Sequence, residues 1–145
     1  MNPVITILDT NVVSEPMRPS PSRAVLDWLS ESHEGGPPFV TTITVAEILF
    51  GIELLPGGKR RDQMLAQAEA AFAEDFVGRV LPFDEDAARA FPGIAVRRRA
   101  QGKPIADLDA QIAAIARSRD AILATRNTAD FEGCGLRLVN PWAGR

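Results

Sequence analysis

Two short apolar runs constrain this chain most. Val4-Ile5-Thr6-Ile7-Leu8 and Ala121-Ile122-Leu123-Ala124 are too short for helices and barely alternate in polarity. A strand with one wet face alternates, whereas a strand covered on both faces reads as a continuous apolar run. Between and around these runs lie stretches with helical spacing. Ser22 can cap a helix carrying Val25, Leu26, Trp28 and Leu29. After a Gly/Pro break and a short strand at Phe39-Val40, Thr44 opens a helix with Val45, Ile48, Leu49, Ile52 and Leu55 on one face. Residues 59–76 follow as an amphipathic helix, then a short strand at Val80-Leu81. Asp84 caps a helix running to about residue 100, in which Pro92-Gly93 can introduce a kink. Residues 105–119 form another helix, and Leu136 to Val139 the last strand, ended by Pro141.

Buried strands alternating with helices predict an α/β fold: a central, mostly parallel β-sheet flanked by α-helices on both faces. At 145 residues, one domain over 1–145 suffices, with no internal repeat and no linker composition. Sheets of this kind place their sites at the carboxyl ends of the strands. Asp9-Thr10-Asn11 and Thr125-Arg126-Asn127 both fall there.

Composition narrows the chemistry. The net charge is −3, so nucleic acid must be met by local basic patches and not by a whole-molecule field. A single cysteine, Cys134, excludes an internal disulfide and a cysteine-based zinc site. The single histidine, His33, sits in a polar stretch before Gly35-Gly36-Pro37-Pro38 and reads as a surface residue. The N-terminal apolar run is too short to span a membrane and lacks the basic start and cleavage site of a signal peptide. The expected location is the cytoplasm, with no membrane partner.

Most acids sit on solvated faces or helix ends, but four positions differ. Asp9 ends a strand that should be dry; it is either a turn or cap residue, or a ligand that Thr10 and Asn11 hold in place. Glu47 lies three residues after Thr44, the spacing of a capping box, yet "TVAEILFGIELL" offers its charge few other partners. Asp107 and Asp109 stand two apart and point to nearly opposite sides of their helix. Asp107 suits a helix N-terminus, whereas Asp109 shares the apolar side with Ile112, Ala113 and Ala116. Asn127 and Asp130 lie in the polar "TRNTADF" loop, where an Asx-type turn is the plain alternative. Two carboxylates about 4 Å apart repel by roughly 4 kcal/mol at an effective dielectric of 20. Several of them together require a cation, and an all-oxygen donor set suits Mg²⁺ or Mn²⁺. Such a site hydrolyses phosphodiesters without histidine.

Five segments together resemble the PIN-domain ribonucleases, and among them the VapC and FitB group of type II toxin–antitoxin toxins. They are "LDTNVVSEPMRP", "TTITVAEILFGIELLPGGKRR", "GKPIADLDAQIAAIA", "ILATRNTADF" and "LVNPW", and they cover nearly the whole chain. The resemblance implies a PIN-like domain with Asp9, Glu47 and Asp109 as its catalytic, metal-holding acids. Many relatives carry a fourth acid directly after "TR", where this chain has Asn127. Either Asn127 or Asp130 would then serve the metal through water. Thr10, Asn11 and Thr125 would orient ligands or the scissile phosphate. The implied activity is Mg²⁺- or Mn²⁺-dependent endoribonucleolytic cleavage of RNA that inhibits translation until a cognate antitoxin masks the site. The implied partners are RNA, the antitoxin, a second copy in a homodimer, and a larger toxin–antitoxin complex on DNA.

Two basic clusters stand out, Lys59-Arg60-Arg61 and Arg97-Arg98-Arg99 followed by Lys103. Both fit solvated helix ends, but the second leads into the loop before Asp109, so Arg98 or Arg99 is expected to contact RNA phosphates. Val12, Val13, Pro16, Met17 and the helix 45–55 can line an apolar groove for an antitoxin helix, or simply pack in the core, and Trp28 and Trp142 are core or interface residues. Rival readings are few. A haloacid-dehalogenase-like phosphatase needs an Asp at position 11, where this chain has Asn11. No P-loop run exists. A catalytically silent PIN-like module that binds RNA or protein, and a PIN nuclease of RNA processing with no antitoxin, remain as alternatives.

Overall fold

The computed structural model describes residues 3–143, so the extreme ends of the expected 1–145 domain lie outside it. The first apolar run becomes strand β1 (Thr6–Leu8), all three residues of which are buried. It pairs in parallel with β4 (Ile122–Ala124) in the register Thr6–Ile122, Ile7–Leu123 and Leu8–Ala124. Strand β5 (Arg137–Val139) pairs in parallel on the far side of β4. Strands β2 (Val40–Thr41) and β3 (Val80–Leu81) form a second parallel pair. The two pairings are joined at Phe39: the Leu8 N–H donates to the Phe39 carbonyl and the Phe39 N–H to the Thr6 carbonyl, each at 2.8 Å. The sheet therefore runs β3-β2-β1-β4-β5, and every pairing is parallel.

Successive residues of a strand face opposite sides, and the two cores follow from that. Ile7 and Leu123 enter one core with Ile94 and the Ile112–Ala116 run. Leu8 and Ala124 enter the other with Val12, Val25, Trp28, Ile48 and Ile52. Helices thus cover both faces, as the unalternating runs require. The helices are α1 (Thr10–Ser14), α2 (Arg23–Ser30), α3 (Thr42–Glu53), α4 (Lys59–Ala70), α5 (Glu85–Ala100), α6 (Asp107–Ser118) and α7 (Thr128–Phe131). Helix α6 is buried almost all round, with Ile112 to Ala116 fully inaccessible, and it packs along α5. Among the described residues no helix is long and apolar enough to cross a membrane.

Ser22 and Asp84 cap α2 and α5 as their types suggest, and α5 runs unbroken through an exposed Pro92-Gly93. Other boundaries differ from the sequence reading. Helix α3 begins two residues earlier than expected, because Thr41 caps it by accepting the Thr44 N–H at 3.1 Å. The helix expected over 59–76 is α4 followed by a wider π-helical turn, Ala71–Asp75. Asp9, open as a turn or a cap residue, is the N-cap of helix α1, which a 3-10 turn, Glu15–Met17, follows. His33 is half-buried rather than a plain surface residue; it bonds the Trp28 carbonyl at 3.0 Å and packs its ring 4.4 Å from that of Trp28.

Gly35 holds the loop before β2 against the entry to β1. Its φ is +88°, and a Cβ there would lie 2.0 Å from the Val4 carbonyl oxygen. That contact is with backbone and cannot be relieved by a rotamer. Gly35→Ala is expected to destabilise the protein by about 2–4 kcal/mol, read from urea unfolding.

Candidate active site at the ends of the central strands

Winding of the sheet reverses between β1 and β4: the chain leaves β1 toward β2 on one side and reaches β4 on the other. The crevice at such a reversal is the natural site of an α/β sheet. Asp9 and Thr125 occupy it, as the residues directly after β1 and β4. Their main chains stay within the sheet, the Asp9 N–H donating to the Ala124 carbonyl at 2.8 Å and the Thr125 N–H to the Val139 carbonyl at 2.9 Å.

The side chains then tie the two strand ends together. Asp9 Oδ1 accepts the Thr10 N–H at 2.9 Å, which caps α1. Asp9 Oδ2 accepts the Thr125 hydroxyl at 2.7 Å and the Asn11 amide at 3.3 Å. Asn11 Oδ1 accepts the Arg126 N–H at 3.3 Å, and Thr125 Oγ1 accepts the Asn127 N–H at 3.1 Å. Asp9 is only 5% exposed. Burial raises its pKa above the usual carboxylate value; the bonds from Thr125 and Thr10 oppose that shift, and the charges of Glu47 and Asp130 add to it.

Glu47 reaches the same crevice from α3. Its Oε1 accepts the Thr10 hydroxyl at 2.8 Å, and Thr10 Oγ1 lies 2.9 Å from Thr44 Oγ1. The Thr41 hydroxyl donates to Thr44 Oγ1 at 3.5 Å. Because Thr10 spends its single hydroxyl hydrogen on Glu47, it must accept from Thr44, and the hydroxyls form a chain with one direction. The capping-box reading of Thr44 and Glu47 is thereby corrected: Thr44 is a fully buried residue inside α3, and Glu47 faces Thr10. The sequence reading used Thr44 only as a cap and did not see it supporting the site.

Asp109 lies half-buried in the first turn of α6, whereas Asp107 is exposed. Burial pushes the Asp109 carboxyl up to about 6, helped by the negative charges of Asp9, Glu47 and Asp130. Asp130 is exposed on α7, and its charge acts on both Asp9 and Asp109. Asn127 is also exposed and stands at the N-cap position of α7 without a side-chain capping bond. These four carboxylates are the oxygen donors available to a cation. Among the described residues none of the ion pairs, which join Arg18, Arg61, Arg89 and Arg119 to other acids, reaches them. Nor do any three Asp, Glu, His or Cys side chains among the described residues already surround a single point.

The basic cluster divides. Arg98 is 5% exposed and donates to the carbonyls of Glu132 at 2.7 Å and Ala129 at 3.4 Å. The expectation that it meets RNA is corrected, since its guanidinium is inside the protein and committed to main chain. Arg97 and Arg99 are exposed. Sequence reasoning also passed over Glu15, which is buried and accepts the Ser22 N–H at 2.8 Å, fastening the segment after α1 to the start of α2. Nothing in its local pattern distinguishes Glu15 from a solvated acid.

Folded, cation-free protein keeps a proton on Asp109 up to about pH 6, whereas the unfolded chain releases it near 3.8, the ordinary value for an aspartate. The folded state holds the extra proton between those values, so stability declines as pH rises through the window. In EDTA, Asp109→Asn is expected to melt about 2–4 °C above the parent at pH 7.5 and level with it near pH 4, by calorimetry.

Comparison with known proteins agrees with this geometry. The PIN domain model matches residues 6–132. The chain is 40% identical over 136 residues to the VapC ribonuclease Y4jK of Sinorhizobium fredii, a match spanning 94% of this chain and 96% of that protein. It is 39% identical over 136 residues to the toxin FitB of Neisseria gonorrhoeae, spanning 94% and 97%. Among solved structures, FitAB bound to an IR36 DNA fragment matches with a TM-score of 0.86 at 36% identity, over 97% of this chain and 98% of that one. The chain belongs to the PIN-domain family, in the group that holds the VapC and FitB toxins.

Proposed function

We propose that this protein is a metal-dependent endoribonuclease toxin, acting in the cytoplasm on RNA phosphodiesters and so inhibiting translation until a cognate antitoxin covers its site. The observation that carries this reading is the gathering of acids around Asp9 and Asp109: the charges of Glu47 and Asp130 act on both, both carboxyls are raised, and none of the four acids meets a basic partner among the described residues. Four oxygen donors with unrelieved repulsion fit a hard divalent cation. Asp9, Glu47 and Asp109 would hold Mg²⁺ or Mn²⁺, with Asp130 or Asn127 serving through water. The ion supplies the Lewis acidity and charge neutralisation that phosphodiester hydrolysis requires. The protein's own share is orientation. Thr125 and Asn11 fix the Asp9 carboxylate, and Thr10, itself held by Thr44, fixes that of Glu47. Arg99, exposed at the end of α5, is the basic residue proposed to meet RNA phosphate.

The antitoxin reading draws on an apolar groove of about 500 Å³ beside the site. Val12, Val13, Pro16 and Met17 line it together with Leu29 and Phe76. Met17 also borders a second hollow, walled by Ile48, Ile52 and Leu55 of the 45–55 segment, that extends to Glu47. An amphipathic antitoxin helix laid along both would end at the acids. The related FitAB assembly, solved on a DNA fragment, supports a toxin–antitoxin complex on DNA. A homodimer of this chain within that complex is part of the proposal.

Antitoxin-free protein incubated with total bacterial RNA should give discrete products with Mg²⁺ or Mn²⁺ and none with EDTA. Asp109→Asn should lower the rate by about 100-fold or more. Cleavage that persists in EDTA overturns the metal-dependent reading, and RNA binding without cleavage in any metal points to a silent module. Arg99→Glu should slow cleavage about tenfold at low salt and flatten its dependence on salt, because one phosphate contact is lost.

A further inference from the structure

Of Arg97, Arg98, Arg99 and Lys103, only Arg98 is buried. It falls on the inward stripe of α5, in step with Ala87, Phe91 and Ile94. An aliphatic residue would fill that position without desolvating a charge, and a buried guanidinium lacking a carboxylate partner is costly. Arg98 has carbonyls instead. Its Nη1 donates to Glu132 and Ala129, and its Nε is buried with no hydrogen-bond partner.

Ala129 is the second residue of α7 (Thr128–Phe131) and Glu132 its C-cap. A four-residue helix cannot sustain itself, and its terminal carbonyls lack partners within the helix, where a cation is favoured. Ala129 and Glu132 bracket Asp130 and Phe131. Phe131 is 1% exposed and pegs the turn into the core. The Thr125 hydroxyl holds the Asn127 N–H at the head of the turn, and bonds from one guanidinium on either side of Asp130 hold the rest of it. Asp130 sits on the turn that starts from Thr125, whose hydroxyl bonds both the Asn127 N–H and Asp9, and its charge acts on Asp9 and Asp109.

We propose that Arg98 is a positioning residue for the acidic site: by clamping the carbonyls of Ala129 and Glu132, it sets the orientation in which Asp130 faces Asp9 and Asp109. This rests on the reading of those acids as a divalent-cation site. Arg98 acts through the main chain and touches neither ion nor substrate.

The test is Mn²⁺ affinity, measured by isothermal titration calorimetry on antitoxin-free protein as a double-mutant cycle. Asp130→Asn and Arg98→Met should each weaken Mn²⁺ binding about tenfold. The double variant should bind no more weakly than Asp130→Asn alone, because the placement of residue 130 ceases to matter once its charge is gone. Arg98→Lys, which keeps a cation able to reach Glu132, should recover part of the affinity; it replaces Arg98→Met in the cycle if the latter does not fold. Losses that add to about 100-fold in the double variant overturn the proposal. So does an Arg98→Met protein that binds Mn²⁺ as the parent does while Asp130→Asn is impaired, which leaves the metal-site reading standing. Parent-like binding by Asp130→Asn also overturns it, without touching Asp9, Glu47 or Asp109. A parent that binds no Mn²⁺ removes the metal-site reading and this inference together.

Discussion

A buried carboxylate, that of Asp9, is the group on which the rest of the site depends. Taking an ionised carboxylate from water is tolerable only when hydrogen bonds or a cation replace the lost hydration. Asp9 receives three donors, the Thr125 hydroxyl, the Asn11 amide and the Thr10 N–H. The same three bonds join the ends of β1 and β4 and start α1, so the device that makes the charge bearable also fixes the shape of the crevice. Desolvation still outweighs the donors, as the raised pKa of Asp9 records. The site is built with its negative charge incompletely compensated by protein, which is the electrostatic condition for drawing in a cation.

Glu47 is handled differently. It is half-buried and receives one hydroxyl, but that hydroxyl is the last of a series running back through Thr44 to Thr41, the cap of α3. The start of α3 and the start of α1 are thereby linked directly, hydroxyl to hydroxyl, through Thr44 and Thr10. Two acids, one capping α1 and one within α3, are set by networks that share Thr10: its N–H holds Asp9 and its hydroxyl holds Glu47.

Much of this was legible in the sequence because burial leaves marks on pattern. The unalternating runs at 4–8 and 121–124 required a sheet covered on both faces, and the two cores flanking β1 and β4 are the result. Asp109 was separable from Asp107 because helix geometry places only Asp109 on the apolar stripe, and the two differ in exposure accordingly. What the pattern concealed depends on three-dimensional partners. Thr44 has the spacing of a cap to Glu47, yet the cap lies one turn earlier, at Thr41. Arg98 reads as one of three solvated arginines until the phase of α5 is fixed by what it packs on, and then it alone turns inward. Glu15 is an acid in a proline-rich turn, with no local sign that the Ser22 N–H would come to meet it.

The distance along the chain between Asp9 and its main donor carries a consequence of its own. Thr125 stands 116 residues further on. Strands β2 and β3 can add to β1 early, but β4 and β5 come from the last quarter of the chain, and contacts closed over so long a loop form late. A growing chain on the ribosome therefore carries Asp9 and Glu47 well before it has Asp109 or the hydroxyl that orders Asp9. The acids of the crevice are thus brought into one place only after residue 125 has been made, and the two halves of the sheet cannot order Asp9 separately.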